Sequence, residues 1–209
     1  NNDIKDLVYG SLLHDIGKAS IPKEILNKKG ELSEDEKKVI QSHPVMSYKI
    51  ILKQLKLHMD QAQIISADKS GNLNGSFFFI LKGEKIPFLA RIVTVADSYV
   101  ALIHIRPYRN KHIAYDAVKV ITGDNGKIYD PKITKSLLNA VGLHPIGSIV
   151  QLNNLYIGRV IENHKDAVLR PKVELIINNI GKKMNKTKVV NLYNNKKLFI
   201  KKAVDPATL

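Results

Sequence analysis

The chain contains no cysteine, which removes disulfides and thiolate metal sites at once and is compatible with the reducing cytoplasm taken here as its expected location. No apolar run approaches the roughly 20 residues that span a bilayer, and no signal peptide is visible, so no membrane span is expected. Acidic residues are scarce: 19 Asp and Glu stand against 33 Lys and Arg, a formal net charge of +14. Such an excess suits an anionic partner. Many of the lysines, however, lie in the last third (Lys182, Lys183, Lys186, Lys188, Lys196, Lys197, Lys201 and Lys202), interleaved with asparagine. That is the pattern of a solvated surface, and nucleic acid is the less favoured partner. At 209 residues, one large domain or a domain with a small appendage can bury roughly 70% of its unfolded surface without cross-links.

What is present is mostly helical patterning. Ile4, Leu7, Val8, Ser11 and Leu12 repeat at helical spacing, and the run ends at His14-Asp15-Ile16-Gly17-Lys18. Pro22 stops any helix there, and a short helical piece follows through Leu26. Asn27 to Gly30 is a turn. Ser33 followed by Glu36 is a capping-box pattern that predicts a helix from Glu34 toward Ser42. Pro44 opens the next helix, with Val45, Tyr48, Ile51, Leu52 and Leu55 inward, and a short helix is expected over Asp60 to Ser66. Lys69 to Gly75 reads as a loop, and Phe77 to Leu81 as a buried strand or a hydrophobic flap. Pro87 opens a long helix with Leu89, Ile92, Val93, Ala96 and Val100 on one face. Further helices are expected over Ala114 to Thr122 and Pro131 to Val141, the latter capped by Asp130. From Gly142 onward the chain turns to short β-branched segments at 147–152, 156–162, 172–177, 188–193 and 198–202. The expected architecture is therefore mainly α: a helical bundle over residues 1–142 and a small β-rich extension over 143–209. Because Asn1 runs straight into a helix, an upstream portion is also expected.

The chemistry-bearing residues sit at helix ends. His14 and Asp15 place two metal-ligand types side by side; alone, the pair reads equally well as a polar helix cap. Asp97 lies beside an apolar stripe, where a carboxylate costs several kcal/mol unless paired or metal-bound. Arg91 and Arg106 are its candidate ion-pair partners.

In order, His14-Asp15, His43 and Asp97 resemble the HD superfamily of metal-dependent phosphohydrolases. The flanking words Leu13 to Lys18, Ile21-Pro22, Ser42-His43-Pro44, Lys82 to Pro87, Ala90 to Val93, Ala96-Asp97, Arg106 to Arg109 and Tyr129 to Pro131 are similar to the HD-GYP subfamily, bacterial cyclic di-GMP phosphodiesterases. The resemblance implies a helical bundle holding iron or manganese. His14, Asp15, His43 and Asp97 would be metal ligands, with Asp15 bridging and therefore also catalytic. Lys18 would contact the scissile phosphate, and Arg106 and Arg109 would reach the substrate. Cyclic di-GMP is the expected ligand, a cyclase or another signalling protein the expected protein partner, and a sensor or receiver domain the expected upstream neighbour.

The chain also departs from that subfamily. Where its members carry a His-His-Glu triplet, this sequence has Asp68-Lys69-Ser70; at the Gly-Tyr-Pro signature it has Ser76-Phe77-Phe78; and Val100 replaces a second aspartate. A second metal is left with Asp15, His43 and Asp68, so one metal per chain, or none, is expected, with weak or absent hydrolysis. The alternative is an inactive module that binds cyclic di-GMP or a protein. Phe77 to Phe79 would then offer a contact surface, against the simpler reading of ordinary core.

Overall fold

The computed structural model describes residues 2–52, 86–104, 113–124 and 126–209. It divides into two compact units, Asn1–Lys111 with Asp124–Ile133, and His112–Gly123 with Thr134–Leu209. The expected segments at Asp60 to Ser66, Lys69 to Gly75 and Phe77 to Leu81 lie outside the described residues, as do Asp68, Arg106 and Arg109. No helix among the described residues is long and apolar enough to cross a membrane.

In the first unit, α1 (Asn2–Leu13) leads into a 3-10 turn at Ile16–Ser20, then α2 (Lys23–Leu26), α3 (Glu34–Gln41), α4 (His43–Ile50) and α5 (Phe88–Ile103). The expected capping box is complete. Ser33 Oγ accepts from Glu36 N, and the Glu36 carboxylate accepts from Ser33 N at 2.7 Å. Lys28 also donates to Glu36 and holds that carboxyl below its ordinary range. Ile86, Ala90 and Val93 form one apolar cluster with Leu7 and Leu89; Ile51 forms another with Leu13, Ile16, Tyr48 and Leu52.

The inner faces of α4 and α5 match expectation in part: Tyr48, Ile51 and Leu52, and Leu89 and Val93, join the apolar clusters. On α4 the buried positions are His43, Pro44 and Ser47, with Ile51 one turn further. On α5 they are Ala90, Val93, Thr94, Val95 and Leu102, whereas Ala96 is exposed and Val100 is 46% exposed. The two faces of a strongly apolar helix are hard to distinguish by periodicity alone. The true face carries Ala90 and, seven residues on, Asp97. It packs against α1, where Leu7 is likewise followed seven residues later by His14. Two parallel helices thus place an apolar contact and then, about two turns further along each, a polar one.

In the second unit, α6 (Ala114–Thr122) and most of α7 (Pro131–Val141) accompany five antiparallel strands: β1 (Ile149–Leu152), β2 (Ile157–Glu162), β3 (Lys172–Ile177), β4 (Lys183–Asn191) and β5 (Ile200–Val204). The order is β4-β3-β2-β1-β5. The expected mainly α architecture therefore holds for the first unit and is joined by a full five-stranded sheet. Val150, Leu152, Val160, Val173, Leu175 and Leu192 make its core, each worth about 2 kcal/mol on burial. Gly158, opposite Val150, is required by close packing: a Cβ there would lie 2.5 Å from a Val173 methyl. β4 begins five residues earlier than the sequence pattern indicates, because its first half is an exposed edge without alternation.

Candidate metal centre

The helix–turn boundary after α1 sets the site. His14 follows the last residue of α1, and Asp15 occupies the cap of the 3-10 turn. His14 Nδ1 lies 2.8 Å from the Ser11 carbonyl oxygen. A carbonyl only accepts, so Nδ1 carries the proton and Nε2 is turned outward. That Nε2 lies 3.5 Å from Asp15 Oδ2 and 3.5 Å from Asp97 Oδ1. His43, only 3% exposed, repeats the device: its Nδ1 is 2.5 Å from the Ile40 carbonyl oxygen, and its Nε2 is 3.2 Å from Asp15 Oδ1. The two oxygens of Asp15 therefore face two different imidazoles. Lys18 Nζ donates to Asp15 Oδ2.

Each of these imidazoles presents Nε2 to a carboxylate oxygen. With Nδ1 protonated, a neutral ring offers a lone pair there, and a lone pair facing an anion repels it. A cation between them, either a proton on Nε2 or a metal, makes the arrangement favourable. Among the described residues, buried His43 Nε2 makes no hydrogen bond despite its short approach to Asp15. Adjacent donors on an octahedral ion with ~2.1 Å bonds lie about 3 Å apart, so pairs at 3.2 to 3.5 Å are within a small side-chain rotation of that spacing. Among the described residues no three His, Asp or Glu side chains already close around one point; the donors run as a chain of pairs from His43 to Asp15, His14 and Asp97. Nitrogen and carboxylate donors in this arrangement suit a divalent first-row ion.

Of the sequence-derived site residues, His14, Asp15, Lys18, His43 and Asp97 are brought together, while Arg106 and Arg109 lie outside the described residues. Arg91 is not the partner of Asp97. It bonds Asp130 at 2.6 Å, and Asp130 also accepts from Lys132 N at the start of α7. His104, seven residues after Asp97, is exposed at the end of α5, its Nδ1 3.0 Å from the Val100 carbonyl oxygen. Ser47 touches the turn on both sides of Asp15 and carries no pattern that singles it out, whereas Gly17 belongs to the Leu13 to Lys18 word. Ser47 Oγ donates to the His14 carbonyl at 2.9 Å and accepts from Gly17 N at 2.8 Å. The second unit holds a contrasting buried histidine, His144, stacked on Tyr115 at 4.7 Å and pushed down to about 4 by burial.

Residues 1–133 match the HD domain family, and residues 149–209 match a KOW domain associated with HD domain. The cyclic di-GMP phosphodiesterase PA4108 of Pseudomonas aeruginosa is 30% identical over 194 residues, covering 90% of this chain and 45% of that protein. The cyclic di-GMP phosphodiesterase response regulator RpfG of Xanthomonas campestris is 32% identical over 137 residues, covering 65% and 36%. The chain spans less than half the length of either. Among solved structures, an HDG"Y"P protein from Bdellovibrio bacteriovorus has the same fold with a TM-score of 0.51 at 19% identity, over 65% of this chain and 42% of that one. With its helical unit and the histidine–aspartate turn matched together, the chain belongs to the HD domain family.

Proposed function

We propose that this chain is a metal-dependent domain acting on cyclic di-GMP, with one fuller donor set and one depleted set, and with weak or no hydrolysis. The observation that carries it is the pair of anchored imidazoles, each facing an oxygen of Asp15. His14, Asp15 and Asp97 would hold one divalent ion, iron or manganese. Asp15 and His43 would contribute to a second position, where the resemblance would make Asp68 the remaining oxygen donor and Lys69 a positive charge. An ion held there would polarise a phosphodiester and acidify water.

The chain's own groups account for the rest. The Ser11 and Ile40 carbonyls hold both rings with Nε2 toward the acids. Lys18 partly offsets the charge of Asp15 and would contact a phosphate oxygen. Arg106 and Arg109 are the proposed nucleotide contacts. Clamping of the attacking and leaving oxygens fails as a unit when one ion is lost, so hydrolysis falls steeply even with the first set intact. A cytoplasmic location and a cyclase or other signalling partner belong to the same reading.

The test is hydrolysis of cyclic di-GMP by the manganese- or iron-loaded chain, with metal counted per chain. One ion or fewer and slow turnover is expected; rapid turnover with two ions would overturn the depleted-site reading. Asp68-Lys69-Ser70 favours one alternative, a domain that binds cyclic di-GMP or a protein without cutting. Tight nucleotide binding with no turnover at any metal loading would select it.

A further inference from the structure

We infer that Ser47 is a positioning residue for this centre, its hydroxyl gripping the backbone on both sides of Asp15 and so setting that carboxylate against His43. The inference rests on the metal-centre reading above. Ser47 lies on α4 four residues after His43, on the same face, and is fully buried. Buried helical hydroxyls ordinarily donate to the carbonyl four residues back. Thr94 does so to Ala90, and Thr122 to Val118. Ser47 instead donates out of its helix to the His14 carbonyl and accepts from Gly17 N. Residues 14 and 17 bracket Asp15, so one hydroxyl fixes the turn before and after the carboxylate. A second constraint comes from Gly17, where a Cβ would strike the His43 carbonyl oxygen and lie 2.5 Å from Ser47 N. The turn is thus seated directly on the first turns of α4. The same helix face that supplies His43 also supplies the group that aims Asp15 at it.

The test uses Ser47→Ala, Ser47→Cys and, as a control, Val93→Ala, which weakens the same unit without touching the clamp. Manganese affinity of the metal-free chain is measured by calorimetry, and the ring nitrogens of His14 and His43 are followed by NMR without metal. Ser47→Ala is expected to lower manganese affinity by about tenfold or more and to shift both rings' Nε2 resonances. Ser47→Cys, close in size but a weak donor, should fall between it and the parent, and it carries the test if the alanine variant does not fold. Val93→Ala should leave both readouts in place. Parent-like affinity (within about twofold, against the 10–100-fold typical of lost supporting contacts) with unmoved rings in a folded Ser47 variant would overturn the inference. So would an equal loss in Val93→Ala. If the parent chain binds no manganese, the metal-centre reading fails separately, and the ring resonances alone decide the clamp: shifted in the Ser47 variants supports it, unmoved overturns it.

Discussion

The two units bury very different things. The β unit closes over six aliphatic side chains, and five of them come from alternating or paired strand positions. The helical unit instead buries His43 and Ser47 on α4 and sets partly buried Asp15 and Asp97 against His14 and His43. The first pattern needs nothing beyond the hydrophobic effect. The second sets imidazole nitrogens against carboxylate oxygens, an arrangement that a cation between them makes favourable. Where a protein spends stability on such an arrangement, its chemistry is the reason to look for.

The comparison breaks first at Asp15. Asp15→Ala should lower manganese affinity by about a hundredfold or more, since both proposed donor sets share that carboxylate and even lost supporting contacts cost about 10–100-fold; calorimetry reads this, and an unchanged affinity would dissolve the contrast. Next, Leu152→Ala should cost about 2–5 kcal/mol of β-unit stability in urea titration, while manganese affinity stays in place. Replacing Arg91 by Met strands Asp130 and should cost about 3 kcal/mol, seen as earlier unfolding of the helical unit.

A smaller effect comes from pH. His144 is neutral when folded, its pKa held down to about 4, against about 6.5 when unfolded. Between those values the unfolded chain binds a proton that the folded chain refuses. Stability is therefore full well above pH 6.5 and declines as pH falls toward 4, by about 2 kcal/mol at pH 5. His144→Phe should flatten that slope in urea titrations at pH 7.5 and 5. Smallest of all, Ser33→Ala removes one half of the capping box and should cost about 1 kcal/mol, measurable as a lowered melting temperature.

Much of this was legible in the sequence wherever a residue type has one strong local use. Ser33 with Glu36, Pro87, and Asp130 before Pro131 mark helix starts that the structure bears out. His14, Asp15, His43 and Asp97 carried their chemistry openly, although Asp97 converges on His14 and not on Arg91. Faces were less legible. Val100 and Val93 look alike in a pattern, yet one is 46% exposed and the other 4%, because what decides is the neighbouring helix. The first half of β4 carries no strand pattern, since Lys183, Asn185, Lys186 and Thr187 are all exposed at a sheet edge. Lysines at an edge also discourage pairing with another chain, which accounts for part of the basic excess. Ser47 was invisible because its importance lies entirely in a contact 33 residues away.

The measurement that bears most directly on the account is histidine-ring NMR of the chain during manganese titration. Paramagnetic broadening should strike His14 and His43 together at the lowest additions. Broadening that spares His14 and His43, or no broadening at all, would contradict a metal centre at the histidine–aspartate turn.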